Sequence, residues 1–290
     1  MEKLFNIIIA TTNSILTFLK ILLRSTFVIS KYKTENEQLF ILGNGPSLKH
    51  QLPLLESKFR NSSILSVNGF PLSDLFEKIK PNYFIVCSPG FYRNDAMDYN
   101  VEVRKNIIKR LVEKTNWPIV FFIPIASKRN KQFTDYINTN QNIKIQYYNT
   151  TPTEGLKILN QLFYKMGLGS PRPHNVLIPS ILQAINAGYK KIYLLGADHS
   201  WLPELSVNES NEVLLNQKHF YDEQSSTAKQ MHKQEGRGNR KIHEVLHKFM
   251  LSFKAYHELN EYASTKDSTI INLTEGSFID AFEKQKIDSL

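Results

Sequence analysis

Short apolar runs alternate with longer amphipathic ones along this chain. Leu39–Leu42, Ile64–Val67, Tyr83–Val86, Ile119–Ile123, Ile143–Tyr147, Ile192–Leu195 and Thr269–Leu273 are rich in β-branched or aromatic residues and are bounded by polar or turn-forming ones. Such runs read as buried strands. Val176–Ala187 carries a helical apolar stripe ending at Gly188, a residue suited to a left-handed C-cap. Lys241–Ala263 reads as a long amphipathic helix leading into the last strand. Strands separated by helices predict an α/β fold with a mostly parallel, Rossmann-like sheet.

Residues 1–30 follow another pattern. No charge occurs from Leu4 to Leu19, while Asn6, Asn13, Thr17, Lys20 and Arg24 recur at helical spacing and share one face. Ile8, Ile15, Phe18, Leu19, Leu22 and Leu23 take the opposite face. Lys20 and Arg24 interrupt the run of about 20 apolar residues that a crossing helix needs. No small-residue site marks a cleaved signal peptide. The expectation is an amphipathic helix lying on a membrane surface, assisted by Lys31 and Lys33. Packing against the protein's own body or a partner is the alternative. Residues 31–38 are polar and read as a linker to a body spanning 39–290.

In open α/β sheets, ligands bind beyond the C-terminal ends of the strands. The first run ends in Gly43-Asn44-Gly45-Pro46-Ser47, a glycine-rich turn before a helix. Such a turn can bring backbone N–H groups up to a phosphate, although this is neither the Walker nor the dinucleotide pattern. A tight connection without a ligand is the alternative. The second run ends in Asn68-Gly69, the third in Ser88-Pro89-Gly90, and the sixth in Gly196-Ala197-Asp198-His199-Ser200-Trp201. All four ends should converge on one crevice. The polar insertion that follows, 203–240, is a candidate lid or else a surface loop.

With 290 residues, 41% of them apolar, the chain can bury a normal core. Its single cysteine, Cys87, excludes a disulfide framework and a cysteine-based zinc site. The net charge of +9 suits an anionic membrane or an anionic substrate, and no nucleic-acid-binding module accompanies it. No Asp-x-Asp pair occurs to hold a cation on phosphates, so no metal site is expected.

Gly43-Asn-Gly-Pro-Ser-Leu48, with Ala187-Gly-Tyr-Lys-Lys-Ile-Tyr-Leu-Leu-Gly-Ala-Asp198 far downstream, resembles the bacterial lipooligosaccharide sialyltransferases. The same signatures are similar to the MptE-like group, named for a 6-hydroxymethylpterin pyrophosphokinase, which includes the motility-associated flagellin glycosylation factors. The resemblance runs from Leu39 to Phe282 and is also specific at Asn272-Leu-Thr-Glu-Gly-Ser-Phe278. It implies a GT-A-like variant of the Rossmann sheet.

The sialyltransferase resemblance implies that Gly43, Asn44, Gly45 and Ser47 hold a cytidine nucleotide and that Asn68 contacts the donor's phosphate or ribose. Asp198 matches the aspartate of the second motif. Ser88 stands where those enzymes carry asparagine, and Ser200 where they carry a phosphate-gripping tyrosine, for which Tyr221 or Arg237 could substitute. The family uses one histidine as general base on the acceptor hydroxyl. His243 has the best positional claim, followed by His199 and His219, with His232 a further candidate. His50 looks like surface, and His247 and His257 sit in the long helix.

The implied activity is metal-independent transfer of a sialic-acid-like or Kdo-like sugar from a CMP-activated donor to a surface glycan or lipid-linked acceptor. It would take place in the cytoplasm at the inner face of the membrane. No cofactor is implied beyond the donor, and a homo-oligomer stays open because relatives often assemble. The alternatives are an ATP-dependent pyrophosphokinase and a non-catalytic nucleotide-binding subunit of envelope-glycan assembly.

Overall fold

The computed structural model describes residues 1–27, 32–34, 36–55, 58–93, 101–216, 220, 227–233 and 238–290. The seven expected strands form: β1 (Gln38–Leu42), β2 (Ser63–Val67), β3 (Tyr83–Ile85), β4 (Ile119–Pro124), β5 (Ile143–Tyr148), β6 (Lys191–Leu195) and, after three short strands, β10 (Thr269–Asn272). A two-residue β11 (Glu283–Lys284) joins the edge. The sheet order is β11-β10-β6-β1-β2-β3-β4-β5, and each neighbouring pair is parallel. The chain winds outward from β1 to β5, then returns to β6 on the other side of β1. The topological switch point therefore lies between β1 and β6.

Both faces of the sheet are covered, which is why its strands read as continuous apolar runs. Leu39 and Ile41 join one core with α7 (Leu177–Ala187) and α8 (Ile242–Ser264). Phe40 and Leu42 join the other with α2 (Leu48–Leu55), α3 (Leu75–Ile79), α4 (Val101–Lys114) and α5 (Lys131–Asn138). Gly188 caps α7 at φ 101°. The segment expected to be a linker is tied down in its described part. The Tyr189 hydroxyl donates to that of Tyr83 (2.9 Å), which donates to that of Tyr32 (2.6 Å), and Thr34 N–H donates to the Ala187 carbonyl.

The insertion after β6 is not a bare loop where it is described. It builds an antiparallel sheet of β7 (Leu205–Val207), β8 (Val213–Leu215) and β9 (Lys229–Gln230). Val213 and Leu215 pack on Val245 and Phe249 of α8, with Trp201 alongside. Apolar residues at alternate positions of β8 supply this small core.

The N-terminal helix α1 spans Glu2–Arg24. It docks by the face expected to meet water. Thr17 is buried; its Oγ1 donates to the Glu154 carbonyl and accepts from the Glu154 N–H, both at 2.9 Å. Ser14 Oγ accepts from Leu156 N–H (2.8 Å), and Ile21 packs on Phe163 and Leu168. Ile8, Ile15, Phe18, Leu19, Leu22 and Leu23 all remain exposed. Small polar side chains explain the choice, because their brevity lets the backbone at Gly155 come close. Gly155 sits at φ 111°, and a Cβ there would meet Ser14 N at 2.5 Å and Ala10 O at 2.7 Å.

Gly155→Val should therefore release α1 without unfolding the body. Trypsin should cleave at Lys20 and Arg24 roughly tenfold faster, as expected for a local opening easier by about 1.4 kcal/mol, while the main melting transition moves little.

Candidate active site at the switch point

The end of β1 and the end of β6 are bonded to each other. Gly43 N–H donates to the Leu195 carbonyl and Gly45 N–H to the Gly196 carbonyl, both at 2.8 Å. The two loops run so close that side chains do not fit between them. A Cβ on Gly43 would meet Gly196 O at 2.5 Å, and one on Gly45 would overlap the Asp198 carboxylate. Gly196 itself takes φ 59°, open to glycine at little cost.

Asp198 closes the contact. Its Oδ2 accepts from Ser47 Oγ (2.9 Å) and its Oδ1 from Ser47 N–H (3.2 Å). Burial raises its pKa, and the Ser47 bonds oppose the rise. The C-terminal motif supports the same loop from behind. Thr274 Oγ1 accepts from Ala197 N–H (3.0 Å), Ser277 Oγ donates to Ala197 O (2.7 Å), and Phe278 N–H donates to Asp198 O (2.9 Å). Gln51 Nε2 donates to Leu273 O (2.6 Å), while its Oε1 accepts from Gly196 N–H (3.2 Å). The three sequence motifs form one hydrogen-bonded unit.

The loop expected to offer N–H groups to an anion has those of Gly43, Gly45 and Ser47 engaged within the protein, and Pro46 has none, which leaves Asn44. Its carbonyl accepts from Phe220 N–H (3.0 Å), and its side-chain Oδ1 is buried without a partner among the described residues. At the next strand ends, Asn68 is held at φ 45°, and Ser88 Oγ caps the turn at Pro89 by accepting from Gly90 N–H (3.4 Å). Strained backbone of the Asn68 kind is sustained where a site requires it. Ser200, two residues after Asp198, is half-buried.

The histidines divide differently from the expectation. His199 is buried, stacks on Trp201 at 4.0 Å between ring centroids, and has Nε2 2.5 Å from the Tyr256 hydroxyl. Burial lowers its pKa to about 3. A ring enclosed and hydrogen-bonded in this way is a poor proton acceptor at neutral pH. His243 lies exposed on the first turn of α8, and no hydrogen bond or ring contact joins it to the switch-point loops among the described residues. His232 pairs with Asn239 and His257 with Asp280 at the surface, and His50 is exposed. His219, Tyr221, Arg237 and Lys31 lie outside the described residues.

Two unanticipated residues complete the rim. The Tyr256 hydroxyl also donates to Asn175 Oδ1 (3.0 Å), and Cys87 Sγ at the end of β3 donates to the Pro173 carbonyl (3.8 Å). Burial pushes the Cys87 thiol up to about 12, so it is no nucleophile. These bonds carry His174 and Asn175 across the strand ends from β3 to β6. His174 Nε2 and Asn175 Nδ2 are buried without partners among the described residues. Burial first, then the positive charge of Lys248, Arg172, His247 and Arg240, lowers the His174 pKa to about 4. Asn175 stands just ahead of α7, and its Oδ1 accepts from Leu177 and Ile178 N–H. No sequence pattern marks His174. Among the described residues, no three His, Cys, Asp or Glu side chains gather as a metal site would need.

No family model matches the chain, and no curated protein does. Among solved structures it is similar to a MAf glycosyltransferase from Magnetospirillum magneticum AMB-1, at 12% identity and a TM-score of 0.50, over 92% of this chain and 36% of that one. The chain thus spans little more than a third of that protein's length. The likeness is one of fold, the fold expected from the resemblance to motility-associated glycosylation factors.

Two measurements test the site's construction. In a double-mutant cycle of Ser47→Ala and Asp198→Ala, urea denaturation should give a coupling of about 1.5–3 kcal/mol, as for hydrogen bonds to a charged group. The folded-state pKa of His199 lies below its unfolded value. The stability that its neutral form provides is therefore complete above about pH 6.5 and lost as pH falls toward 3, by up to about 1.4 kcal/mol per pH unit. His199→Phe should flatten that slope.

Proposed function

We propose that this protein is a glycosyltransferase that binds a nucleotide-activated sugar at the β1–β6 switch point. The observation that carries the proposal is Asn44, whose buried side-chain oxygen has no partner among the described residues, in a loop whose Gly43, Gly45 and Ser47 N–H groups are all engaged. A buried acceptor of this kind calls for a donor from outside the chain, and a nucleobase amino group is one. Switch points are where α/β sheets take nucleotides. The likeness of fold to a MAf glycosyltransferase supports the same class.

The donor we favour is a CMP-sugar, sialic-acid-like or Kdo-like, with a glycan or lipid-linked acceptor. Its single phosphate can leave on fixed donors without a cation. In this reading Asn68 and Ser88, just beyond the ends of β2 and β3, contact ribose and phosphate. Lys248, Arg172 and Arg240 supply positive charge near His174. An ATP-dependent pyrophosphokinase would want carboxylates for magnesium, whereas Asp198 is engaged by Ser47.

For the base we favour His174 over His243. His174 is neutral at physiological pH and keeps a ring nitrogen unpaired. An anionic donor set among the surrounding cations would offset their charge and raise its pKa toward the range a general base needs. The acceptor hydroxyl then gives its proton to His174 as its oxygen attacks the anomeric carbon, and the bond to the CMP phosphate breaks.

A thermal-shift panel of CMP, CDP, UDP, GDP and ATP, each with and without magnesium, tests the donor. CMP at 100 times its dissociation constant should stabilise the fold by about 2.7 kcal/mol without metal. A response only to ATP with magnesium would overturn the transferase reading. With an active donor and acceptor in hand, His174→Ala should lower kcat by about 100-fold or more, and His243→Ala should leave it nearly unchanged.

A further inference from the structure

α1 is long and apolar enough to cross a membrane, by length and composition, and yet it is fastened to the body. Its 23 residues extend about 34 Å, but Ser14, Thr17 and Ile21 are buried against the protein. Gly155 already packs on Ala10, so the stretch from Glu2 to Ile9 is free over only about 12 Å, well short of a hydrocarbon core of about 30 Å. A helix so fixed can lie in a membrane surface but cannot span it.

The apolar surface does not end with α1. The helix α6 (Lys157–Met166) turns Phe163 and Leu159 toward Ile21. Ile158, Leu162 and Met166 form the next row around it at i, i+4, i+8, and they are 81%, 46% and 45% exposed. Phe5, Ile8, Ile15, Phe18 and Leu22 of α1 are each at least half exposed.

The hydroxyls of α1 are already satisfied. Thr11 and Thr12 donate to the carbonyls of Ile7 and Ile8 at 2.9 and 3.0 Å, and Ser14 and Thr17 bond inward. Hydrocarbon tolerates such hydroxyls because they leave no donor without a partner. Lys3, beside Glu2, and Arg24 stand at the two ends of α1 on a chain of net charge +9. An anionic surface complements that charge, whereas a symmetric contact with a second copy would set its cations near one another.

We propose that α1 and α6 together form a platform that seats in an anionic lipid surface, with α1 in the plane of the interface. The platform holds whatever nucleotide the switch point takes.

Flotation of the full chain with phosphatidylcholine vesicles, with or without about 30% phosphatidylglycerol, is the test. The protein should float with the anionic vesicles, and alkaline carbonate should release it. Ile158→Glu with Leu162→Glu on α6 should weaken binding about tenfold while circular dichroism and trypsin resistance of α1 stay unchanged; Phe18→Glu with Leu22→Glu should abolish it. Failure of the wild type to float would overturn the proposal. So would carbonate-resistant insertion, or α6 variants that bind as the wild type does. A detergent-free dimer in sedimentation that these substitutions dissociate, without vesicle binding, would assign the face to a second copy instead. Unaltered nucleotide responses in the variants keep this outcome separate from the fate of the transferase reading.

Discussion

The close approach of two backbone loops at the centre of the sheet governs the rest of this molecule. Between β1 and β6 the chain must reverse its direction of winding, and the strand ends there have no further sheet to enter. Gly43, Gly45 and Gly196 allow the loops to bond to each other at 2.8 Å instead of diverging. Once they touch, Asp198 falls within reach of Ser47, and Ala197 within reach of Thr274 and Ser277. Rigidity at this point is what a binding site needs, since a contact held by a mobile loop has to be ordered anew with each ligand.

That economy of bonding also decides what is left over. With the N–H groups of Gly43, Gly45 and Ser47 used internally, the proposed reading gives recognition to the groups at the loop's margin: Asn44, Asn68, Ser88 and the bridging pair His174 and Asn175. Three of these belong to different strand ends and the pair to the lead-in of α7, so the rim depends on the whole sheet being assembled. Phe220, between β8 and β9 in sequence, adds a further contact, its N–H donating to the Asn44 carbonyl.

The strands and long helices were legible because burial on both faces leaves an unmistakable apolar signal, and Gly188 announced its cap. The motifs read as ligand contacts, and the structure adds that Asp198 and Ser47 hold each other. A spacing pattern cannot tell a residue that touches a ligand from one that shapes the loop. Gln51 escaped notice for the same reason: four residues after Ser47 on an apolar helix face, it looks like an incidental polar residue. The α1 amphipathicity was plain, yet its docked side was not, since short hydroxyls are equally at home in water and against a backbone. His174 had no local signal at all; only the β3-to-β6 bridge reveals it.

The most direct measure of this account is a calorimetric titration of CMP into the wild type and Asn44→Ala, with Ser88→Ala alongside, at one salt concentration. Loss of a buried hydrogen bond should weaken the Asn44→Ala complex at least about tenfold while its melting temperature stays close to that of the wild type. Equal dissociation constants for the wild type and Asn44→Ala would contradict the claim that the switch-point loop presents Asn44 to a nucleotide.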